Sequence, residues 1–303
     1  MTGRTKSFLA YGAVYFFWGT TYLGIRYAIE TIPPFFMGSL RFALAALCYL
    51  LFLKASGRWR TPTRSQVLHA AVAGVLMLAF GNGCVIWAEQ EVPSGVTSLL
   101  IGTTPFWLVL FDWKLRSTRA PHAGHWLGAV LGFCGIVLLA APEDLAGAGR
   151  VDPVNAVVLL FASVFWSLGS VYARKEPGPP DAITAACVQM GAGALAFLVM
   201  GFLRGEAAGF SFAQVSASSW VAVLYLLVGG SLIGYTAWVY LLSRSTAARL
   251  STITYVNPLV AVLLGGIAGE AFTSRLFLAA PLILGAVFLM ARRVDVKEEG
   301  SVA

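Results

Sequence analysis

Charged side chains are scarce in this sequence. Asp, Glu, Lys and Arg make up 12% of its 303 residues, about half the quarter expected of a soluble domain. Hydrophobic residues make up 58%, too many for a water-facing exterior to accommodate. That imbalance excludes a soluble enzyme, a nucleic-acid-binding domain and a disordered tail. Cysteine is scarce too: Cys48, Cys84, Cys134 and Cys187 lie far apart in apolar runs with no CxxC. Neither a disulfide framework nor a thiolate metal site is expected. His69, His122 and His125 are not grouped with carboxylates, which argues against a metal centre or a triad. GxSxG, HExxH and phosphate-binding glycine loops are missing. The expectation is no catalytic residue, no cofactor, no metal and no nucleic-acid partner. What remains is an all-α integral membrane protein with the lipid bilayer as its solvent.

Apolar runs are what the sequence has in plenty. A membrane helix needs about 20 apolar residues to cross roughly 30 Å of hydrocarbon. Ten segments meet that pattern: 8–28, 34–53, 67–89, 94–112, 124–141, 154–173, 182–203, 217–241, 247–268 and 274–291. The loops between them are short. Residues 1–7 carry Arg4 and Lys6 ahead of a long apolar stretch, which reads as the first span rather than a cleaved leader. With both termini inside, 16 of the 21 Lys and Arg residues fall in inner segments. Only Arg150, Arg204 and Arg275 lie outside, and Arg26 and Arg41 lie within spans. Positive residues resist translocation, so both termini are expected in the cytoplasm.

The chain also repeats itself. An offset of 148 residues superposes Phe17-Trp18 on Phe165-Trp166, Arg26 on Arg174 and Arg41 on Gln189. Pro33-Pro34 and Pro179-Pro180 match with a two-residue slip. An offset of 153 places Pro105 on Pro258 and Asn82 on Tyr235. Two repeats, 8–141 and 154–292, then carry five spans each, and an odd count forces the second to be inverted. Inverted repeats of this kind build transporters with the solute site near the midplane.

Certain residues face a pathway on this reading. Tyr11, Tyr15, Trp18 and Tyr22 recur on one helical stripe. Trp18 is mid-span, where its N–H needs a partner, and Trp166 is its match. A cavity lining and simple helix packing both account for the stripe. Arg41 lies about 10 Å into its span by helical rise, so it should face protein or water and find a counter-charge. Glu89 is the natural one, either as a solute site or as an ion pair stapling two spans. Asn82 shares a face with Glu89, and Gln90 is adjacent. Gln189, Tyr235, Tyr255 and Asn257 extend the polar set into the second repeat. Thr104-Pro105 and Asn257-Pro258 interrupt helical hydrogen bonding, making Pro105 and Pro258 candidate hinges or plain kinks. Gly124, Gly128 and Gly132, and separately Gly265 and Gly269, form small-residue ridges suited to helix packing. Among acids near spans, Glu270 is expected beside Arg275, and Asp112 beside Lys114 as a solvated loop end. Glu89 is the candidate for proton linkage.

The sequence resembles EamA-type members of the drug/metabolite transporter superfamily. The resemblance lies in Tyr15-Phe-Phe-Trp-Gly-Thr-Thr-Tyr-Leu-Gly-Ile-Arg26, in Gly81-Asn-Gly-Cys-Val-Ile-Trp-Ala-Glu-Gln-Glu-Val-Pro-Ser-Gly95 and in Tyr255-Val-Asn-Pro-Leu-Val-Ala-Val-Leu-Leu-Gly265, followed by Gly269-Glu270. It covers about residues 8–292. It implies ten helices in two repeats and the movement of small organic solutes, often outward, across the cell (inner) membrane. The family often has an acid after span 4 that mirrors Glu270, whereas this chain has Ser117. An intramembrane enzyme such as a lipid transferase, a channel and a structural subunit are the alternatives.

Overall fold

Helix-starting signals recur along the chain, each followed by a long apolar run. Thr63 accepts from the Gln66 N–H while the Gln66 side chain accepts from the Thr63 N–H, a reciprocal cap. Asp152, Asp181 and Ser216 cap three further helices through their side chains. Pro34 and Pro153 occupy first-turn positions, where the missing N–H costs nothing. The structure, a computed structural model, describes residues 3–118, 120–121, 123–140, 151–179, 181–245, 249–250, 253–270 and 274–291. These form helices α1 (Gly3–Ala28), α2 (Pro34–Ala55), α3 (Arg64–Ala88), α4 (Ser94–Arg116) and α5 (Ala123–Ala140). They continue with α6 (Pro153–Lys175), α7 (Ala182–Leu203), α8 (Ala217–Leu242), α9 (Ile253–Ile267) and α10 (Ser274–Ala291). No strand occurs among the described residues.

Six of these, α2, α3, α4, α6, α7 and α8, are long and apolar enough to cross a membrane, and shorter apolar stretches occupy α5, α9 and α10. Their outer surfaces are greasy: Leu203, Ile267 and Phe277 are at least 70% exposed. In water such a surface would aggregate; in lipid it is the natural exterior.

Packing follows a regular scheme. Helix α1 lies against α8 and α9, and α6 lies against α3 and α4. Helix α2 pairs with α7, and α5 with α10. Because lipid tails are as apolar as leucine, close contact rather than hydrophobicity holds such helices together. Gly74 of α3 shows the effect: a Cβ there would run into the Gln189 backbone of α7. We expect Gly74→Val to lower stability by about 1–3 kcal/mol through overpacking, read as a drop in melting temperature in detergent. An unchanged melting temperature would show that α3 and α7 can separate freely. Gly135 of α5 abuts Ile283 of α10 in the same way. Gly269 departs from its expected ridge: it lies beyond the end of α9 in left-handed backbone, φ 82°, where glycine is favoured.

Three helices are irregular at mid-length. Val75–Asn82 of α3 and Leu226–Tyr235 of α8 are π-helical, a form that frees backbone carbonyls and is frequent at functional sites. In α4, a 3₁₀ turn at Ile101–Thr103 precedes Pro105. The carbonyls loosened there are met by serines of α6: Ser163 donates to the Ile101 carbonyl (3.3 Å) and Ser167 to that of Thr104 (3.2 Å).

Candidate functional site

The π-helical stretch of α8 is where the site is assembled. Its carbonyls accept from side chains of the first half of the chain. Trp18 Nε1 donates to the Gly230 carbonyl at 3.2 Å, and the Tyr49 hydroxyl lies 2.7 Å from that of Ser231. Gly230 and Gly234 make room, since a Cβ would collide with the Arg41 guanidinium at the first and the Trp18 ring at the second. Arg41 Nε then donates to Ser231 Oγ at 2.8 Å, and its guanidinium lies over the Phe42 ring, 4.8 Å from the centroid.

Between α1, α2, α3, α4, α6, α7, α8 and α9 lies a cavity of about 110 Å³. Trp18, Tyr22, Arg41, Asn82, Trp166, Tyr235, Asn257 and Pro258, all singled out by sequence, line it. Its wall includes three mutually packed indoles. Trp18 is 5.1 Å from Trp166 and 5.2 Å from Trp238, and Trp166 is 5.8 Å from Trp238, between ring centroids. Four cavity-lining residues carry buried polar atoms without a hydrogen-bond partner among the described residues: Arg41 Nη1, Asn82 Oδ1, Asn257 Oδ1 and Trp238 Nε1. Buried polar groups in folded proteins are normally satisfied. Two unused donors and two unused acceptors therefore meet in one cavity.

Other residues expected on the pathway lie elsewhere. Tyr15 packs against Tyr11 at 5.8 Å, away from this cavity. Glu89 does not pair with Arg41: no ion pair joins them, and both its carboxylate oxygens are buried without a hydrogen bond. The reason is that Arg41 turns toward α8, whose π turn presents Ser231. Gln90 is exposed and its amide folds back to the Trp87 carbonyl at 3.0 Å, outside the cavity. Gln189 is buried, accepting from the Tyr235 hydroxyl at 3.1 Å. Pro105 lies in the first turn of the second α-helical segment of α4 and Pro258 lies inside α9. Tyr255 is part of α9, but its side chain lies outside the described residues.

The charged residues near the span ends also find specific partners. Asp112, expected as a solvated loop end, is instead buried and binds Arg116 at 2.8 Å and Arg174 at 3.3 Å. It ties α4 to α6 because Arg174 reaches across from the facing helix. Glu270 accepts from the Ser94 and Gly95 N–H groups at the start of α4, at 3.0 and 3.3 Å, and lies 3.7 Å from Arg26. The expected partner Arg275 has its side chain outside the described residues. Glu206 caps α2 likewise, accepting from Phe35 and Phe36 N–H. Carboxylates are favoured there by the unpaired amides and dipole of a helix start.

Sequence reasoning overlooked Trp238, Thr21 and Ser231. Trp238 carried a usable signal, lying one turn from Tyr235 on the same helix. Ser231 carried little, because its importance comes from a residue 190 positions away.

A lipid-facing helical bundle enclosing a largely apolar cavity with a few unsatisfied polar groups is a form that suits a membrane transporter. The chain belongs to the EamA-like transporter family, which matches residues 6–141 and again 155–292, within the drug/metabolite transporter superfamily. It is 36% identical over 280 residues to the uncharacterized inner membrane transporter YedA of Escherichia coli K12, covering 92% of this chain and 88% of that one. It is 23% identical to the uncharacterized transporter YvbV of Bacillus subtilis, covering 93% and 87%. The WAT1-related chloroplastic protein At3g02690 of Arabidopsis thaliana is 23% identical over 96% of this chain and 71% of its own. One crystal structure superposes with a TM-score of 0.66 at 22% identity, covering 96% of this chain and 100% of that one. That likeness bears on the fold.

Proposed function

We propose that the protein is a secondary transporter that exports a small amphipathic solute bearing a carboxylate, such as an amino acid, by alternating access. The observation that carries this reading is the set of unsatisfied groups in the central cavity. Arg41 Nη1 offers a charged donor, and Asn82 and Asn257 offer carbonyl acceptors to an ammonium or amide. The three tryptophans provide a wall for an apolar side group. The volume is of the order of the ~150 Å³ cavities that admit benzene, which favours small solutes.

On this proposal α1–α10 all cross the membrane, as two inverted five-helix repeats spanning 8–141 and 154–292. Three features support it. The family matches twice, in tandem. The contacts of α1 with α8 and α9 mirror those of α6 with α3 and α4. The two π-helical stretches end at Asn82 and Tyr235, the residues the repeat aligns. The two halves would rock about the shared cavity.

The test is flux in proteoliposomes. Saturable uptake of a zwitterionic amino acid, competed by its analogues, is expected. Ion current without saturation would point to a channel instead, and absence of any solute flux would sink the reading. Topology has its own check. Arg60→Cys, in an inner loop on this proposal, should react only with membrane-permeant thiol reagents in intact cells. Rapid reaction with an impermeant reagent would reverse the orientation.

A further inference from the structure

A second, larger cavity of about 540 Å³ opens beside the first. Helices α3, α4, α6, α7 and α8 line both. Along α6 the lining passes from Trp166 in the central cavity to Ala173 and Arg174 in the second, about 10 Å further at 1.5 Å per residue. Along α8 it passes from Tyr235 and Trp238 to Val239 and Leu242, and then to Arg244 just beyond the helix end. At the boundary, Tyr235 of the central cavity donates its hydroxyl to Gln189 of the second, at 3.1 Å. The second cavity is therefore a vestibule on the face that carries the basic loops.

Its charge is one-sided. Arg116, Arg174 and Arg244 line it, with His69, whose Nδ1 lies 2.6 Å from the Tyr172 hydroxyl. Asp112 answers both Arg116 and Arg174, so that trio keeps one positive charge. Glu176, the one acid in the lining, is met by Lys175 at 3.8 Å. Arg244 stacks over Tyr240 at 5.1 Å and has no ion pair among the described residues. Two positive charges are thus left uncompensated in a recess with low-dielectric walls, which concentrates anions.

We propose that this vestibule is the cytoplasmic loading site for the carboxylate of the transported solute, with Arg244 as its charge-selecting residue. The inference rests on the transporter reading above and adds to it a place where solute is gathered before it passes the Tyr235–Gln189 contact. Arg244 is a positioning residue on this view, since the central cavity supplies its own cation in Arg41.

The test reads the local potential directly. In the full-length protein in phosphatidylcholine vesicles, Ser243→Cys places a thiol in the lining, and unmodified protein gives the background from native cysteines. An anionic methanethiosulfonate should outpace its cationic counterpart by about tenfold relative to a free thiol, less so at high salt. Arg244→Gln should remove most of that preference and Arg244→Lys should retain it. L-Leucine should slow the labelling, whereas L-leucinamide, which lacks the carboxylate, should not. No charge preference, or a preference unaffected by Arg244→Gln, overturns the proposal. Protection that follows added phosphatidylglycerol and not L-leucine also overturns it, by assigning the vestibule to a lipid headgroup. A normal preference in a protein that moves no amino acid would instead sink the transport reading while leaving the anion site standing.

Discussion

Replacing Arg41 with alanine should reduce transport of a carboxylate-bearing solute by about 10- to 100-fold at low concentration. The figure is the ~1.5–3 kcal/mol of a hydrogen bond to a charged group, converted at 1.4 kcal/mol per tenfold. Arg41 is 4% exposed, its guanidinium held by one bond from Nε to Ser231, with Nη1 free to meet the solute. Arg41→Lys should not restore activity, because an ammonium cannot bond Ser231 and the solute through a planar fork. The variant should still fold. Its loss strands a single serine hydroxyl at about 1–3 kcal/mol and removes a buried cation that has no counter-charge. Adding Glu89→Ala should recover neither stability nor flux, since the two residues do not pair. The measurement is initial uptake rate against solute concentration, with monodispersity on gel filtration as the folding control. Wild-type uptake by folded Arg41→Ala protein would show that the cation takes no part in binding.

How much of this was legible beforehand depended on whether the cause was local. Helix positions followed from apolar run length, and six of the helices are long and apolar enough to cross a membrane. The indole and asparagine lining of the cavity followed from mid-span placement: Trp18, Trp166, Asn82 and Asn257 are residues that lipid would reject. The Arg41–Glu89 pairing failed because depth in the membrane does not say which way a side chain turns. The π-helical turn of α8 decides that, by placing Ser231 and Gly230 opposite Arg41. A π turn has no reliable sequence signature; it is stabilised here by donors from α1 and α2. Asp112 was misplaced for a related reason. Its sequence neighbour Lys114 suggested solvent, whereas its partner Arg174 comes from the facing helix.

Glu89→Gln is expected to abolish pH-gradient-driven accumulation while leaving downhill exchange measurable. Proton coupling needs an ionisable group that alternates between environments as the protein changes state. Glu206 and Glu270 are poor choices, because each is committed to the N–H groups at a helix start. Asp112 is committed to two arginines. Glu89 alone among these acids is 1% exposed with neither oxygen hydrogen-bonded. It ends α3, on the same helix as Asn82, so a movement that reshapes the central cavity also moves this carboxyl. Glutamine keeps its size and cannot exchange a proton, so binding and exchange should survive while coupling does not. The experiment compares flux with and without an imposed pH gradient, for both proteins, in the same lipid. A gradient that accelerates the Glu89→Gln protein as much as the wild type removes Glu89 from any coupling role. Equal flux under both conditions in the wild type would instead identify facilitated diffusion, for which the buried carboxyl would serve only packing.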